Sequence, residues 1–440
     1  MNEVVLDVGA PDGTLVRALH GVNNGPVTYG GLVDASDLYR EAQIPFVRLH
    51  DPNWPHAWEV DIHTIFPDFD RDPSDPDSYD FARTDDYIAS IVATGASIVY
   101  RLGESIEHSR RKYFVHPPAD AAKWAQVCLG IIRHYNEGWA DGYAYGIAHW
   151  EIWNEADNPD IGVMWSGTDD EYFTLYAVTA KAIRAAFPEI RIGGPACTMI
   201  NEAHTREFLR RCRDERLPLD FFSWHTYADK VSSIVDNARL VDGWLAEYGF
   251  DDVEIHLNEW NHIAEVDPAE TDPVRVRRFL FDRVKGMEGA SFAAGVLCAL
   301  QDTSVTVANY YDGQPRGWYC GLFDDFGAAL PTYGVFREFG RLSGLPRVRA
   351  TFDGTTSGLY AIAAGRDTEI EMLIANPTAD VVRCVITGLP SSAEYAARQL
   401  GEETGSPSLD NAGEMMLPAH SVVVLRPAPS PTTPSRIAKE

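Results

Sequence analysis

Two segments of the sequence place a glutamate at the end of an apolar run, among tryptophan and asparagine side chains. His149–Asn158 reads HWEIWNEADN and contains Glu155, and Glu254–Asn261 reads EIHLNEWN and contains Glu259. Both runs have the composition of buried β-strands, so we expect each carboxyl group at a strand end. One protonated and one ionised carboxyl group, held on either side of a bond, are what the hydrolysis of a glycosidic bond requires. The pair therefore indicates acid/base and nucleophilic chemistry on a sugar.

The elements that must position these glutamates alternate between short apolar strands and amphipathic helices from about Leu19 to Leu342. We predict strand cores at Leu19–Asn23, Pro45–His50, Ser97–Gly103, His149–Glu155, Ile190–Ala196, Asp220–Tyr227, Glu254–Trp260 and Ala294–Asp302. We predict helices between them, for example at Ala119–Asn136, Asp169–Phe187 and Pro273–Glu288. Eight such units predict an α/β fold, a (β/α)8 TIM barrel over residues 15–344, with the glutamates on the fourth and seventh strands. A doubly wound sheet is the alternative.

After Gly344 the pattern changes to short β-rich runs separated by Gly, Pro, Asn and Asp. We predict a small antiparallel β-sandwich domain over residues 345–427, with strand runs at Arg349–Tyr360, Glu369–Asn376, Val381–Thr387 and Ser421–Leu425. The N-terminal residues 1–14 contain an apolar run, Val4–Val8, that we expect to pair with this domain as a strand. The Pro/Ser/Thr-rich tail, residues 428–440, is expected to be disordered.

Composition excludes several classes of function. The 440 residues carry a formal net charge of −28, which disfavours nucleic acid or an anionic membrane as a partner. No run approaches the ~20 apolar residues that span a bilayer, and Met1–Gly13 lacks the features of a secretory signal. The six scattered cysteines are expected to be buried thiols and not zinc ligands. We therefore expect a cytoplasmic protein without a metal or other cofactor, and the sequence leaves a homo-oligomer open.

Several motifs together resemble glycoside hydrolase family 39, which belongs to a clan of retaining barrel enzymes and includes β-xylosidases. The matching segments are Trp153-Asn154-Glu155, Glu259-Trp260-Asn261, Trp224-His225-Thr226-Tyr227 and VRLHD, which contains Arg48 and His50. The resemblance implies that Glu155 is the acid/base and Glu259 the nucleophile. It also implies a sugar-binding role for Asn154, His50, Arg48, His225, Tyr227 and Trp260. Ala156 and Asn258 depart from the family pattern, which usually has proline and threonine there.

The chemistry of the residues agrees with these roles. An amide beside the acid can bind a sugar 2-hydroxyl, a contact that strengthens in the transition state. A permanently charged Arg48 close to Glu259 would keep that carboxylate ionised, although Arg48 could instead form a structural ion pair. His50 and His225 could likewise be hydrogen-bonded core residues. Trp54, in the loop after the second strand, is expected either to stack on a sugar or to pack against the barrel rim.

We predict a retaining, exo-acting glycosidase for a short oligosaccharide or glycoside, with β-xylosides as the first expectation. Long aromatic-rich loops after strands two, three and eight, at Asp51–Tyr79, Glu104–Pro118 and Thr303–Leu330, would wall off the mouth and favour exo action. Glucosides, galactosides, arabinosides, uronides and transglycosylation remain open. A catalytically silent carbohydrate-binding barrel is the alternative from another class, and a metal-dependent barrel hydrolase is disfavoured because the first strand lacks an HxH pair.

Overall fold

The computed structural model describes residues 2–53, 58–107, 109–158, 163–263, 270–316, 320–353, 358–366, 369–391, 393–401, 408–410 and 412–428. Its strands are β1 (Asn2–Leu15), β2 (Gly21–Asn23), β3 (Val27–Thr28), β4 (Val33–Asp34), β5 (Phe46–Arg48), β6 (Ser97–Leu102), β7 (His149–Ile152), β8 (Arg191–Cys197), β9 (Phe221–Ala228), β10 (Glu254–His262), β11 (Val305–Tyr310), β12 (Pro346–Phe352), β13 (Tyr360–Arg366), β14 (Glu369–Asn376), β15 (Val382–Thr387), β16 (Tyr395–Gln399), β17 (Glu414–Leu417) and β18 (Ser421–Pro427).

Its α-helices are α1 (Ser36–Ala42), α2 (Ile62–Ile65), α3 (Ala82–Val92), α4 (Ala121–Glu137), α5 (Asp169–Ala186), α6 (Glu202–Asp214), α7 (Val231–Tyr248), α8 (Pro273–Val284), α9 (Met287–Ala299) and α10 (Pro331–Leu342). Two short 3-10 helices lie at Pro76–Ser78 and Leu300–Asp302. Within the described residues, no helix is long and apolar enough to cross a membrane.

The barrel is closed by eight parallel strands in the order β2, β5, β6, β7, β8, β9, β10 and β11, and β11 pairs back onto β2. The predicted (β/α)8 fold is therefore confirmed. Its helical layer packs on the outer faces of the strands; α4, for example, buries Trp124, Cys128 and Ile132 in the main core. Because the strands are parallel, the residues that follow all eight of them meet at one face of the barrel.

The predicted eighth strand, Ala294–Asp302, is wrong. Residues 287–299 form α9, and the eighth strand is β11, which begins at Val305. Ten consecutive residues of α9, Gly289–Cys298, are buried. A helix that is apolar on all sides has no hydrophobic periodicity to distinguish it from a buried strand.

Helix α9 is apolar all round because it is covered on two sides. It contacts α7, α8 and α10 of the barrel, and also β13, β14 and β18 of the C-terminal sheet. The sheet residues that share the barrel core are Ile362, Ala364, Leu373, Ala375, Val422 and Val424. Helix α9 thus lies in the interface between the barrel and the sheet.

The C-terminal domain is one continuous eight-stranded sheet in the order β16, β18, β14, β13, β12, β1, β15 and β17. All its pairs are antiparallel except β1 with β15. The second face of the sheet buries its own core, which joins residues from strands near both edges: Val4, Leu6, Met372, Cys384, Met415, Leu417 and Leu425 are members. The sheet must therefore fold over on itself, as the two layers of a sandwich do.

Strands β13, β16 and β17 were not predicted from the sequence, whereas β14, β15 and β18 lie close to their predicted bounds. The N-terminal strand β1 lies inside the sheet, between β12 and β15. The six cysteines are all buried and free, as expected. The predicted disordered tail lies, apart from residue 428, outside the described residues.

Candidate active site

The loop that carries Glu155 and the strand that carries Glu259 are fixed by the neighbouring barrel strands. After β7, the Trp153 N–H donates to the Leu102 carbonyl on β6 at 2.8 Å, and the Glu155 N–H donates to the Ala196 carbonyl on β8 at 3.0 Å. Glu259 lies within β10, in register with His225 on β9. Both glutamates are therefore held at the C-terminal mouth by backbone hydrogen bonds.

The two carboxyl groups and the His225 imidazole form one cluster. An oxygen of Glu155, an oxygen of Glu259 and a ring nitrogen of His225 all lie within 4.8 Å of one another. His225 Nδ1 is 2.6 Å from Glu155 Oε1 and 3.7 Å from Glu259 Oε2. The side chains of Glu155 and Glu259 are only 13% and 8% exposed, so water barely reaches them.

Glu259 has two further partners that favour its ionised form. The Tyr227 hydroxyl donates to Glu259 Oε1 at 2.7 Å, and Arg48 Nη1 lies 3.3 Å from Glu259 Oε2. Both contacts stabilise a carboxylate more than a neutral carboxylic acid. The structure thus brings both Tyr227 and Arg48 to the Glu259 carboxylate.

Arg48 also holds the amide of Asn154. Its Nη2 donates to Asn154 Oδ1 at 2.6 Å, while its Nε donates to Glu151 Oε2 at 2.7 Å. The amide oxygen is therefore occupied, and Asn154 Nδ2 has no partner among the described residues. This orientation leaves a buried N–H donor beside Glu155, where a substrate hydroxyl can accept it.

The two glutamates differ in proton affinity. The pKa of Glu155 is raised to about 8, first by burial and then by the negative charge of Asp157. Burial and the neighbouring Glu155 also raise the pKa of Glu259, but the charge of Arg48 and the hydrogen bond from Tyr227 oppose that rise. Burial lowers the pKa of His225 to about 4, so its ring is neutral near pH 7. Glu155 is therefore set to hold a proton near pH 7, while Arg48 and Tyr227 favour the ionised form of Glu259.

His50 is buried in the same mouth. It directly follows the second barrel strand, and its backbone N–H donates to Asn24 Oδ1 at 3.4 Å. Burial, reinforced by the positive charges of Arg48 and Arg101, holds the pKa of His50 well below its usual value. Its Nδ1 has no partner among the described residues, so a neutral ring offers one free nitrogen.

The structure does not place the Trp260 ring beside the cluster of Glu155, Glu259 and His225. Its ring is fully buried and packs edge-on against Tyr310, with ring centres 5.2 Å apart. Tyr310 in turn contacts Phe336 of α10, which places the indole on the helical side of the strand and not beside the Glu259 carboxylate. Trp54 lies outside the described residues.

Sequence reasoning missed two residues that support the site, Glu151 and Asp157. Glu151, fully buried on β7, forms the ion pair with Arg48 and accepts a hydrogen bond from Asn258. Asp157 is fixed by hydrogen bonds from Thr198 and Asn201 and raises the pKa of Glu155. Glu151 carried a usable signal, because a charged residue inside an apolar strand run is costly unless it is paired.

Three groups of His, Asp and Glu among the described residues are close enough to hold a metal ion: Glu155/His225/Glu259, Asp61/His63/Glu104 and His149/Glu254/His256. Each already has a guanidinium close by. Arg48 lies beside Glu259, Arg101 beside Asp61 and Arg191 beside Glu254. A fixed positive charge on a ligand carboxylate opposes a bound cation, so we assign no metal to them.

A closed parallel barrel with two buried glutamates, on its fourth and seventh strands and within reach of each other, defines the class: a (β/α)8 barrel with a paired-carboxylate site. Residues 37–276 match the family model of glycosyl hydrolases family 39. The chain belongs to that family.

Known relatives agree with the assignment. The chain is 25% identical over 325 residues to a β-xylosidase of Caldicellulosiruptor saccharolyticus, an alignment that covers 67% of this chain and 62% of that one. It is 28% identical over 171 residues to a β-xylosidase of Geobacillus stearothermophilus, covering 33% and 32% of the two chains. These alignments thus span less than two thirds of each relative. Among solved structures, a glucosidase from Croceicoccus marinus aligns with a TM-score of 0.76 and 25% identity over 97% of this chain and 99% of the other.

Proposed function

We propose that this protein is a retaining, exo-acting glycoside hydrolase that uses Glu259 as nucleophile and Glu155 as acid and then base. The observation that carries the proposal is the approach of the two carboxyl groups, whose oxygens lie within 4.8 Å of each other. Retaining enzymes hold their carboxyl groups about 5–5.5 Å apart, whereas inverting enzymes need about 6.5–9.5 Å to admit a water molecule. The short separation favours direct attack by one carboxylate.

In the first step, Glu259 attacks the anomeric carbon while Glu155 gives its proton to the glycosidic oxygen. The C–O bond to the leaving group breaks and a glycosyl ester on Glu259 forms. In the second step, Glu155 takes a proton from water, the water oxygen attacks the same carbon, and Glu259 leaves as a carboxylate. The raised pKa of Glu155, about 8, suits the protonated starting form.

The neighbouring residues have separate proposed roles. Arg48 and Tyr227 hold Glu259 ionised and in one orientation. Asn154 Nδ2 donates to the sugar 2-hydroxyl, a bond that strengthens as positive charge develops at the adjacent carbon. His225, neutral and 2.6 Å from Glu155, orients the acid.

Exo action is supported by contacts between the long loops at the mouth. His63 in the loop after β5 stacks on Phe114 in the loop after β6, with ring centres 3.5 Å apart and planes at 5°. Tyr311, directly after β11, donates its hydroxyl to Asp51 Oδ2 at 2.8 Å. Loops that bind one another in this way enclose a pocket, and a pocket accepts the end of a chain.

The substrate class follows the relatives. Two relatives are β-xylosidases and one similar structure is a glucosidase. We propose β-D-xylosides first and β-D-glucosides second.

The test is intact-mass analysis after incubation with 2-deoxy-2-fluoro xylosyl and glucosyl fluorides, followed by peptide mapping. We expect one sugar ester on Glu259. An ester on another carboxyl group would reassign the nucleophile, and binding without an ester or turnover would favour a carbohydrate-binding barrel. Exo action is tested separately with xylo-oligosaccharides labelled at the reducing end: early products one unit shorter support it, and a spread of internal fragments contradicts it.

A further inference from the structure

Arg101 is a buried cation at the barrel mouth that lies outside every segment matching the family motifs. It belongs to β6, where Val99 pairs with Arg48 and Arg101 pairs with Glu151. Alternate residues of a strand face the same side, so Arg101 faces the barrel interior, as Arg48 and Glu151 do. It lies two residues closer to the C-terminal mouth than Val99.

Only part of its guanidinium group is used by the protein. Nη2 donates to Asp61 Oδ1 at 2.9 Å and to Ser105 Oγ at 3.1 Å. Nε and Nη1 have no partner among the described residues, although the side chain is fully buried. Nε carries one N–H and Nη1 carries two, so three donors of this buried cation lack an acceptor in the part of the chain that the structure describes. Buried donors are normally satisfied, and here a ligand oxygen can do so.

The position of Arg101 relative to the catalytic pair follows from its neighbours. Arg101 pairs across the sheet with Glu151, whose carboxylate accepts from Arg48, and Arg48 in turn donates to Asn154. The buried polar atoms without a partner among the described residues include Asn154 Nδ2, His50 Nδ1, His225 Nε2, and Nε and Nη1 of Arg101. A sugar whose 2-hydroxyl meets Asn154 extends its ring carbons C3 and C4 away from the anomeric carbon, and Arg101 is a buried cation on the strand next to the one that Asn154 follows.

The acidic residues around Arg101 favour a neutral hydroxyl group on the sugar over an anionic group. Asp61 already balances the guanidinium, and Glu104 is the next carboxyl group along the chain, hydrogen-bonded to His63 at 2.5 Å. A carboxylate or phosphate on the sugar would face both acids, whereas a hydroxyl oxygen accepts from Arg101 without adding charge. The His63–Phe114 stack links the connections that follow β5 and β6.

We propose that Arg101 is a specificity-determining residue that donates to the glycone hydroxyl at C3 or C4. This proposal rests on the proposed glycosidase function. It assigns recognition of the non-reducing end to a residue on the third barrel strand, remote from both catalytic glutamates in sequence.

The test is a cycle of enzyme variants against substrate analogues. The substrates are 4-nitrophenyl β-D-xyloside and glucoside, with the 2-deoxy, 3-deoxy and 4-deoxy analogue of whichever is hydrolysed. We expect wild-type kcat/KM to fall about 10- to 100-fold on the 3-deoxy or the 4-deoxy analogue, the range for a lost hydrogen bond to a charged group. Arg101→Lys and Arg101→Met should lose a similar factor on the parent glycoside and no further factor on that same analogue.

Asn154→Ala is the matched control, because it should show this coupling with the 2-deoxy analogue instead. Arg101→Lys keeps a positive charge beside Asp61 and should therefore fold, so a variant is available if Arg101→Met does not fold. If the Arg101 variants lose the same factor in kcat/KM on the parent glycoside and on all three analogues, Arg101 has a structural role. That result would overturn this inference but not the proposed function. Failure of wild type to hydrolyse either parent glycoside would overturn the proposed function as well.

Discussion

The barrel carries a histidine–glutamate cluster at each end, and both clusters draw on the strands β7 and β10. At the N-terminal end, one carboxylate meets three basic groups: Glu254 Oε2 lies 3.1 Å from a ring nitrogen of His149 and of His256, and Arg191 lies 3.1 Å from Glu254 Oε1. At the C-terminal end, two carboxylates share one neutral histidine, His225.

The two clusters differ in their ratio of acidic to basic groups, and the pKa values of their carboxyl groups shift in opposite directions. Against the effect of burial, hydrogen bonds from His149 and His256 hold the pKa of Glu254 well below its usual value. At the other end, burial and the charge of Asp157 raise the pKa of Glu155 to about 8. The same residue types thus stabilise the fold where each carboxylate oxygen has a basic partner. They become reactive where carboxyl groups outnumber their partners.

The largest expected difference between the two clusters comes from substituting one glutamate in each, Glu259 and Glu254, which lie towards opposite ends of β10. We expect Glu259→Gln to lower kcat by a factor on the order of 10^4 or more, because an amide cannot form the glycosyl ester. Glu254→Gln, the matched control, should stay within roughly twofold of wild type because effects of distant sites are independent. Steady-state kinetics on 4-nitrophenyl β-D-xyloside measure both. Comparable losses at the two ends would refute the division of roles.

A second expected effect concerns the acid. Glu155→Ala should slow glycosides with poor leaving groups by about 10^2- to 10^4-fold, the usual range for general acid catalysis. Dinitrophenyl glycosides, whose leaving groups need no proton, should lose far less in the first step. Added azide should restore turnover and give a glycosyl azide of retained configuration. A uniform loss across leaving groups, with no effect of azide, would remove Glu155 from this role.

The dependence of kcat/KM on pH tests the contrast between the raised pKa of Glu155 and the lowered pKa of Glu254. Because the proposed acid role needs Glu155 to be protonated in the free enzyme, kcat/KM should fall as pH rises through about 8. Asp157→Asn removes the negative charge that raises the pKa of Glu155, so the alkaline limb should move to lower pH. Glu254→Gln should leave the limb in place. An alkaline limb that Asp157→Asn does not move would mean that another group controls it.

The smallest expected effect is on stability. Glu254→Gln should lower the free energy of unfolding by about 1–3 kcal/mol, because two buried histidines lose a charged acceptor. The pKa of Glu254 is lowered on folding, so its contribution to stability is present above the ordinary glutamate pKa of 4.5 and is lost as pH falls further. The gap in urea midpoint between wild type and variant should therefore narrow in acid. Glu259→Gln should show no comparable loss near pH 7, since burial disfavours the Glu259 charge.

The sequence predicted the barrel and both glutamates because both leave local signals. A polar WNE or EWN triplet after an apolar strand is visible in a single segment, and so is the strand–helix alternation. The partners that set proton affinity are not local. Glu151 meets Arg48 and Asn258 only when β7, β5 and β10 close into a barrel.

Two positions differ from what the sequence suggests, for separate reasons. Part of helix α9 was predicted as a strand because the helix is buried on all sides and shows no periodicity, a consequence of the sheet that covers its outer face. The resemblance implied a sugar-binding role for Trp260, but its ring is buried against Tyr310, a contact between two strands that no single segment shows.

The position of β1 has a consequence for synthesis of the chain. Residues 2–7 pair with residues 382–387, and residues 6–15 pair with residues 346–352. Strand β1 therefore has no partner until the whole barrel, which ends with α10, has been translated. During that time its backbone donors and acceptors are exposed as an unpaired edge, which favours aggregation. The barrel can begin to fold as it emerges, but the C-terminal sheet can close only after the last strands are made.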